Sequence, residues 1–127
     1  MTTRLLILAL ALLQPLWYFV LAKPAVLPPA IATGVMLVPI LPALVLAAIN
    51  HRAAGFWGGL AALFYFSHGV MEAWSNPDAA LPAWIEIALS VALVFSASWS
   101  GLRARAAKRA AAAGEASASE PRDHGPQ

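Results

Sequence analysis

Four long apolar runs, Leu5 to Ala22, Ile31 to Ile49, Ala53 to Met71 and Ala83 to Leu102, alternate with short polar or proline-rich breaks. Each run is near the ~20 residues that cross a hydrocarbon core. Backbone groups in lipid must bond within their own segment, so each run predicts a transmembrane helix. Lys23-Pro24 and Pro28-Pro29 mark the first break, Asn50-His51-Arg52 the second, and Ser75-Asn76-Pro77-Asp78 the third. These are turn-forming residues, and connections this short reverse the chain. The expected fold is all-α, an integral membrane bundle of four antiparallel transmembrane helices over residues 1–102. The remaining residues, 103–127, read as a cytoplasmic tail: a basic, alanine-rich piece to about Ala113 that can extend the fourth helix, and then disorder from Gly114 onward.

Each run also predicts which way its side chains face. In the third, Ala54, Gly58, Ala61, Tyr65, His68 and Glu72 fall on one stripe, while Phe56, Leu60, Leu63, Val70 and Met71 fall opposite. Small and ionisable residues turn toward neighbouring helices, and bulky apolar ones toward lipid. Gly55 and Gly59 form a GxxxG pair and, with Gly58, predict close helix packing, within the chain or between copies. Ser67 falls on the lipid side, where its hydroxyl bonds the Leu63 carbonyl one turn back. In the fourth run Glu86, Ser90, Leu93, Ala97 and Ser100 share a side. Pro39 and Pro42 each remove a backbone donor in mid-run and predict a kink in the second helix, and Pro15 a bend in the first.

Composition agrees with this reading. Of 127 residues, 61% are hydrophobic and only 11% charged, too few to cover a water-soluble domain of this size. Cysteine is absent, which excludes disulfides, thiolate metal sites and cysteine nucleophiles. Net charge is +2, and its basic part gathers in Arg103, Arg105, Lys108 and Arg109 after the last run. That placement fits an orientation signal, with membrane lipid as the surrounding partner, and not a face that tracks nucleic acid. An even number of spans puts Arg4, Arg52 and the basic cluster on one side and Lys23 on the other, so both termini are expected in the cytoplasm. Trp74 and Trp84 then flank an outer loop near Glu72 and Asp78. Arg4, the following leucine-rich run and Val20-Leu21-Ala22 also resemble a cleaved secretory signal. Trp17, Tyr18 and Phe19 crowd the region where a cleavage segment is small and polar, which favours an uncleaved span.

The candidate chemistry lies in YFSHGVMEAW, Tyr65 to Trp74, and in Glu86. An ionisable residue inside a membrane helix costs roughly 2.5 to 3.5 kcal/mol on insertion scales, so it needs a partner, a cavity or a task. By helical rise, His68 and Glu86 fall at one depth on adjoining helices and are expected to hydrogen-bond. Glu72, nearer the surface, is placed to meet Lys23. Tyr65, His68, Glu72 and Glu86 thus form a candidate intramembrane polar cluster. Three roles compete for it: a hydrogen-bonded network fixing helix register, a proton or solute pathway, and a divalent metal site. One histidine and two carboxylates lack the HExxH or paired-histidine spacing of zinc sites, and no GxSxG nucleophile motif occurs. No metal, cofactor or catalytic residue is expected.

These residues also carry a family resemblance. Trp17, Pro28-Pro29, LVPILPAL, YFSHGVMEAW, Trp84 and Glu86 together make the first hundred or so residues resemble a family of small bacterial inner-membrane proteins, domain of unknown function number two-zero-six-nine. The resemblance implies a four-helix membrane protein and brings no activity, substrate or cofactor. The expected function is a non-enzymatic accessory or scaffold subunit, with a homo-oligomer or a membrane-protein partner left open. The alternative is a small oligomeric transporter or proton-coupled carrier using His68, Glu72 and Glu86.

Overall fold

The computed structural model describes residues 2–22 and 26–119, and among these there is no strand. Helix α1, Thr2–Leu16, runs directly into a π-helical turn, Trp17–Leu21. The widening follows Pro15, which has no N–H to offer the preceding turn. It closes with the Ala22 amide bonded at 2.9 Å to the Trp17 carbonyl five residues back. The second rod is broken as its prolines predict. Helix α2, Pro29–Leu37, passes through a 3-10 turn, Val38–Ile40, into α3, Leu41–Ala48. Pro39 and Pro42 stand in the first turns of the two later segments, where a missing donor costs little.

Just beyond the end of α3 stands Asn50, whose φ of 57° is left-handed. The His51 amide reaches the Leu46 carbonyl at 2.8 Å and the Asn50 amide reaches that of Ala47 at 3.2 Å, the bonding pattern of a Schellman end. The Arg4 guanidinium donates to the Asn50 side chain, tying the start of α1 to this corner. Helix α4 is Ala54–Ser75, and α5, Ala80–Ser119, follows a 3-10 turn over Pro77–Ala79.

Helix α4 packs against α1, α3 and α5 along the stripe its sequence predicts. Ala54, Gly58, Ala61 and Tyr65 are buried on it, while Phe56, Leu60, Leu63 and Met71 stand exposed. Ala62 and Gly69 are also buried, so the contact face is wider than the predicted stripe. On α5, Glu86, Ser90 and Leu93 are fully buried. The buried side ends before Ser100, which is exposed and bonds back to the Ser96 carbonyl at 2.8 Å. Thr3 and Ser96 hydroxyls meet at 2.6 Å, joining α1 to α5. The main core gathers Ile7, Leu10, Ile40, Ala61, Tyr65 and Leu93; a second group, around Trp17, Tyr18, Ala32 and Ala83, lies toward the opposite end.

Three helical stretches are long and apolar enough to cross a membrane: Thr2–Leu21, Pro29–Ala48 and Pro77–Ala118. Helix α4 has the length, but its glycines, His68 and Glu72 keep it below that hydropathy. Helix α4 runs past its predicted end at Met71 to Ser75, and α5 overturns one expectation. Disorder was expected from Gly114, yet the helix continues to Ser119 with the described side chains beyond Leu102 exposed. A helix already formed extends cheaply through alanine, and one interior glycine costs only about 1 kcal/mol. The rest of the expected disorder, over residues 120–127, lies outside the described residues.

Candidate functional site

The strongest polar constellation joins three helices. From α1 comes Gln14, and from the π-helical turn that continues it come Trp17 and Tyr18; all three are buried. From α4 comes His68, with its side chain 8% exposed, and from α5 comes Glu86, at 0%. His68 Nδ1 lies 2.8 Å from Glu86 Oε2, and Gln14 Nε2 donates to Glu86 Oε1 at 2.8 Å. Tyr18 Oη stands 3.4 Å from His68 Nε2, and the Trp17 ring tilts against the imidazole with centroids 5.4 Å apart. Each carboxyl oxygen of Glu86 therefore has a partner, and both ring nitrogens of His68 face a group that can give or take a proton.

The bonding pattern accommodates more than one arrangement of protons. With Glu86 as carboxylate, both Gln14 Nε2 and His68 Nδ1–H donate to it, and His68 Nε2 is free to accept the Tyr18 hydroxyl proton. A second proton on His68 makes Nε2 a donor to Tyr18 and gives a neutral ion pair. Gln14 Oε1 is buried without a partner in this arrangement. Turning the amide round would offer Oε1 to Glu86 and suit a protonated acid, so the Gln14 orientation is coupled to the proton count of Glu86.

Gly69 makes this contact possible. A Cβ there would lie 3.1 Å from the Ala83 carbonyl oxygen, 3.2 Å from Glu86 Oε2 and 2.9 Å from Ile87 Cγ1. Only a residue without a side chain lets α5 come close enough to present Glu86 to the neighbouring His68.

The predicted cluster divides. His68 and Glu86 come together, whereas Tyr65 turns elsewhere. Its hydroxyl donates to the Met36 carbonyl, at the break that precedes Pro39. A 3-10 turn shifts the bonding register there, and Tyr65 supplies a donor. Glu72 is half-buried; its carbonyl accepts from the Asn76 amide at 2.9 Å, and its carboxylate has no hydrogen-bond partner among the described residues. Lys23, its expected partner, lies outside them. Ser67 bonds the Leu63 carbonyl at 3.0 Å from the exposed side, as expected. The packing glycines differ in closeness. A Cβ on Gly58 would meet Ile7 at 3.0 Å and Leu93 at 3.6 Å, one on Gly59 would meet Ala97 at 3.7 Å, and one on Gly55 only Thr3 at 4.0 Å. No three His, Asp or Glu side chains gather to hold a metal among the described residues.

Gln14, Tyr18, Trp17 and Gly69 were absent from the predicted site. Gln14 carries a readable signal, an amide inside an apolar run and next to a proline. For Gly69 the signal is weaker: a glycine directly after an ionisable residue in a helix interior.

The sequence profile of a family described as predicted membrane protein, DUF2069, matches residues 2–106. The chain belongs to the DUF2069 family. The match takes in every member of the network, from Gln14 on α1 to Glu86 on α5, and stops before the last part of the projecting helix. No curated protein and no solved structure matches this DUF2069 chain.

Proposed function

We propose that this protein is a four-span antiparallel bundle of the bacterial inner membrane, an accessory or scaffold subunit whose buried polar network locks helix register. The observation that carries this reading is the closure of the network. Glu86 and Gln14 have no exposure and His68 has 8%, and the bonds run across α1, α4 and α5. In lipid the helices gain little from apolar contact with one another, so directional bonds and close small-residue packing decide how they align. Helix α4 acts as the fourth span, since it is 22 residues long and lies among α1, α3 and α5. Gly69 meets Ala83, while Gly59 meets Ala97, an order that supports antiparallel packing of α4 and α5. Arg4 bonds Asn50, and Arg52 and Arg105 border a common groove. This gathering of cations at one end supports cytoplasmic termini.

A proton-coupled carrier is the second reading, favoured by the continuous file from Tyr18 through His68 to Glu86. His68→Ala separates the two. A scaffold loses thermal stability or a co-purifying partner, measured on protein from native membranes. A protein that keeps its melting temperature and partners but loses proton flux in reconstituted vesicles would overturn the scaffold reading.

A further inference from the structure

Away from the polar network, α4 and α5 part to leave an open groove of about 920 Å³. Its walls are small or apolar, including Gly59, Leu63, Val94 and Gly101, and its border carries Arg52 and Arg105. The helix pairing that sets Gly69 against Ala83 and Gly59 against Ala97 runs up α5 as it runs down α4, which brings both arginines to the same mouth. From Val94 to Arg105 the groove follows about 16 Å of helix at ~1.5 Å per residue. That is close to one leaflet's share, about 15 Å, of a typical hydrocarbon core.

Beside the mouth, α5 carries a tryptophan–arginine pair of the kind found at headgroup level. Trp99 is 61% exposed, as indoles at a membrane interface are, and the Arg103 guanidinium covers its ring at 5.3 Å. Arg4 is engaged with Asn50, but neither the Arg52 nor the Arg105 guanidinium has a hydrogen bond or ion pair among the described residues. We propose that this groove binds an anionic glycerophospholipid, with an acyl chain between α4 and α5 and the phosphate between Arg52 and Arg105. Charge complementarity names the occupant, because two cations at the open end of an apolar slot match an anionic head on a long apolar tail.

The test counts lipid retained by the full-length protein, by native mass spectrometry, after equilibration with vesicles of phosphatidylcholine with and without phosphatidylglycerol. Wild type should retain phosphatidylglycerol in preference to phosphatidylcholine. Arg52→Gln and Arg105→Gln should each lower that retention roughly five-fold. Gly101→Leu should abolish it by filling the slot, since a Cβ at Gly101 meets nothing within 4 Å and the backbone need not move. Ala104→Leu narrows the same groove and replaces Gly101→Leu if that variant does not fold. Gly34→Leu, whose Cβ also meets nothing within 4 Å and which lies away from the groove, should retain lipid as wild type does. Equal retention of the two lipids, or indifference to the arginine substitutions, would overturn the proposal. So would full displacement by soluble glycerol phosphate, which would make the site one for the headgroup alone. A discrete dimer broken by Gly101→Leu would overturn it too, by assigning the groove to a second copy.

Discussion

Gly69 and Glu86 occupy one another's only available space: a Cβ on the first would stand 3.2 Å from Oε2 of the second and 3.1 Å from the Ala83 carbonyl oxygen. The contact that presents Glu86 to His68 thus depends on a missing side chain. Gly69→Ala should gain up to ~1 kcal/mol of helix propensity and lose about 1–3 kcal/mol to overpacking. The crowded atoms include backbone, which cannot swing aside, so overpacking wins. Thermal unfolding in detergent should show a lower melting temperature, and imidazole nitrogen NMR should show a changed His68 environment. Gly34→Ala, with nothing within 4 Å of its Cβ, should show neither.

Glu86 is the hub of the network, and its substitutions should rank by how many donors they strand. Glu86→Gln keeps an acceptor oxygen and the volume of the side chain. Glu86→Leu leaves both Gln14 Nε2 and His68 Nδ1 buried and unpaired, at about 1–3 kcal/mol each. Glu86→Leu should therefore be the more destabilising, and adding Gln14→Leu should recover part of the loss. A double-mutant cycle on Gln14 and Glu86 reads this directly. Coupling below about 0.3 kcal/mol would remove Gln14 from the network.

The turn at Asn50 gives an independent check on the α3 terminus. Its φ of 57° is a conformation that glycine adopts freely and alanine does not. Asn50→Ala should cost about 1–2 kcal/mol, whereas Asn50→Gly keeps the backbone and loses only the Arg4 contact. If the two melt alike, the Arg4 bond and not the backbone governs this corner.

What the sequence makes legible follows from which interactions are periodic. The stripe of α4 is readable because small and polar positions recur at helical spacing, and His68 can be matched to Glu86 because they lie seven and eight residues on either side of the break at Ser75 to Asp78. Gln14 and Tyr18 were not assigned to the site, since their meeting with Glu86 and His68 depends on where α1 crosses α5, which no local pattern encodes. Tyr65 lies buried on the stripe of His68, but its hydroxyl bonds the Met36 carbonyl beside the proline break in the second rod, a contact that no pattern within α4 encodes. The end of α5 beyond Gly114 is not legible, because a glycine followed by alternating alanine and serine suits a solvated tail as well as a projecting helix.

The Tyr65 contact can be tested through its cause. If Tyr65 serves the opened turn at Val38–Ile40, its value depends on Pro39. Tyr65→Phe alone should cost about 1 kcal/mol by leaving the Met36 carbonyl without its donor in an apolar setting. Pro39→Ala restores a backbone N–H and lets the rod close into a continuous α-helix, in which the Ile40 amide bonds Met36. On that background Tyr65→Phe should be nearly neutral, because the carbonyl is satisfied within its own helix. The cycle is measured by thermal unfolding of the two single variants and the double. An equal Tyr65→Phe cost with and without Pro39 would show that the hydroxyl does not serve the break, and that Tyr65 contributes through its buried ring alone.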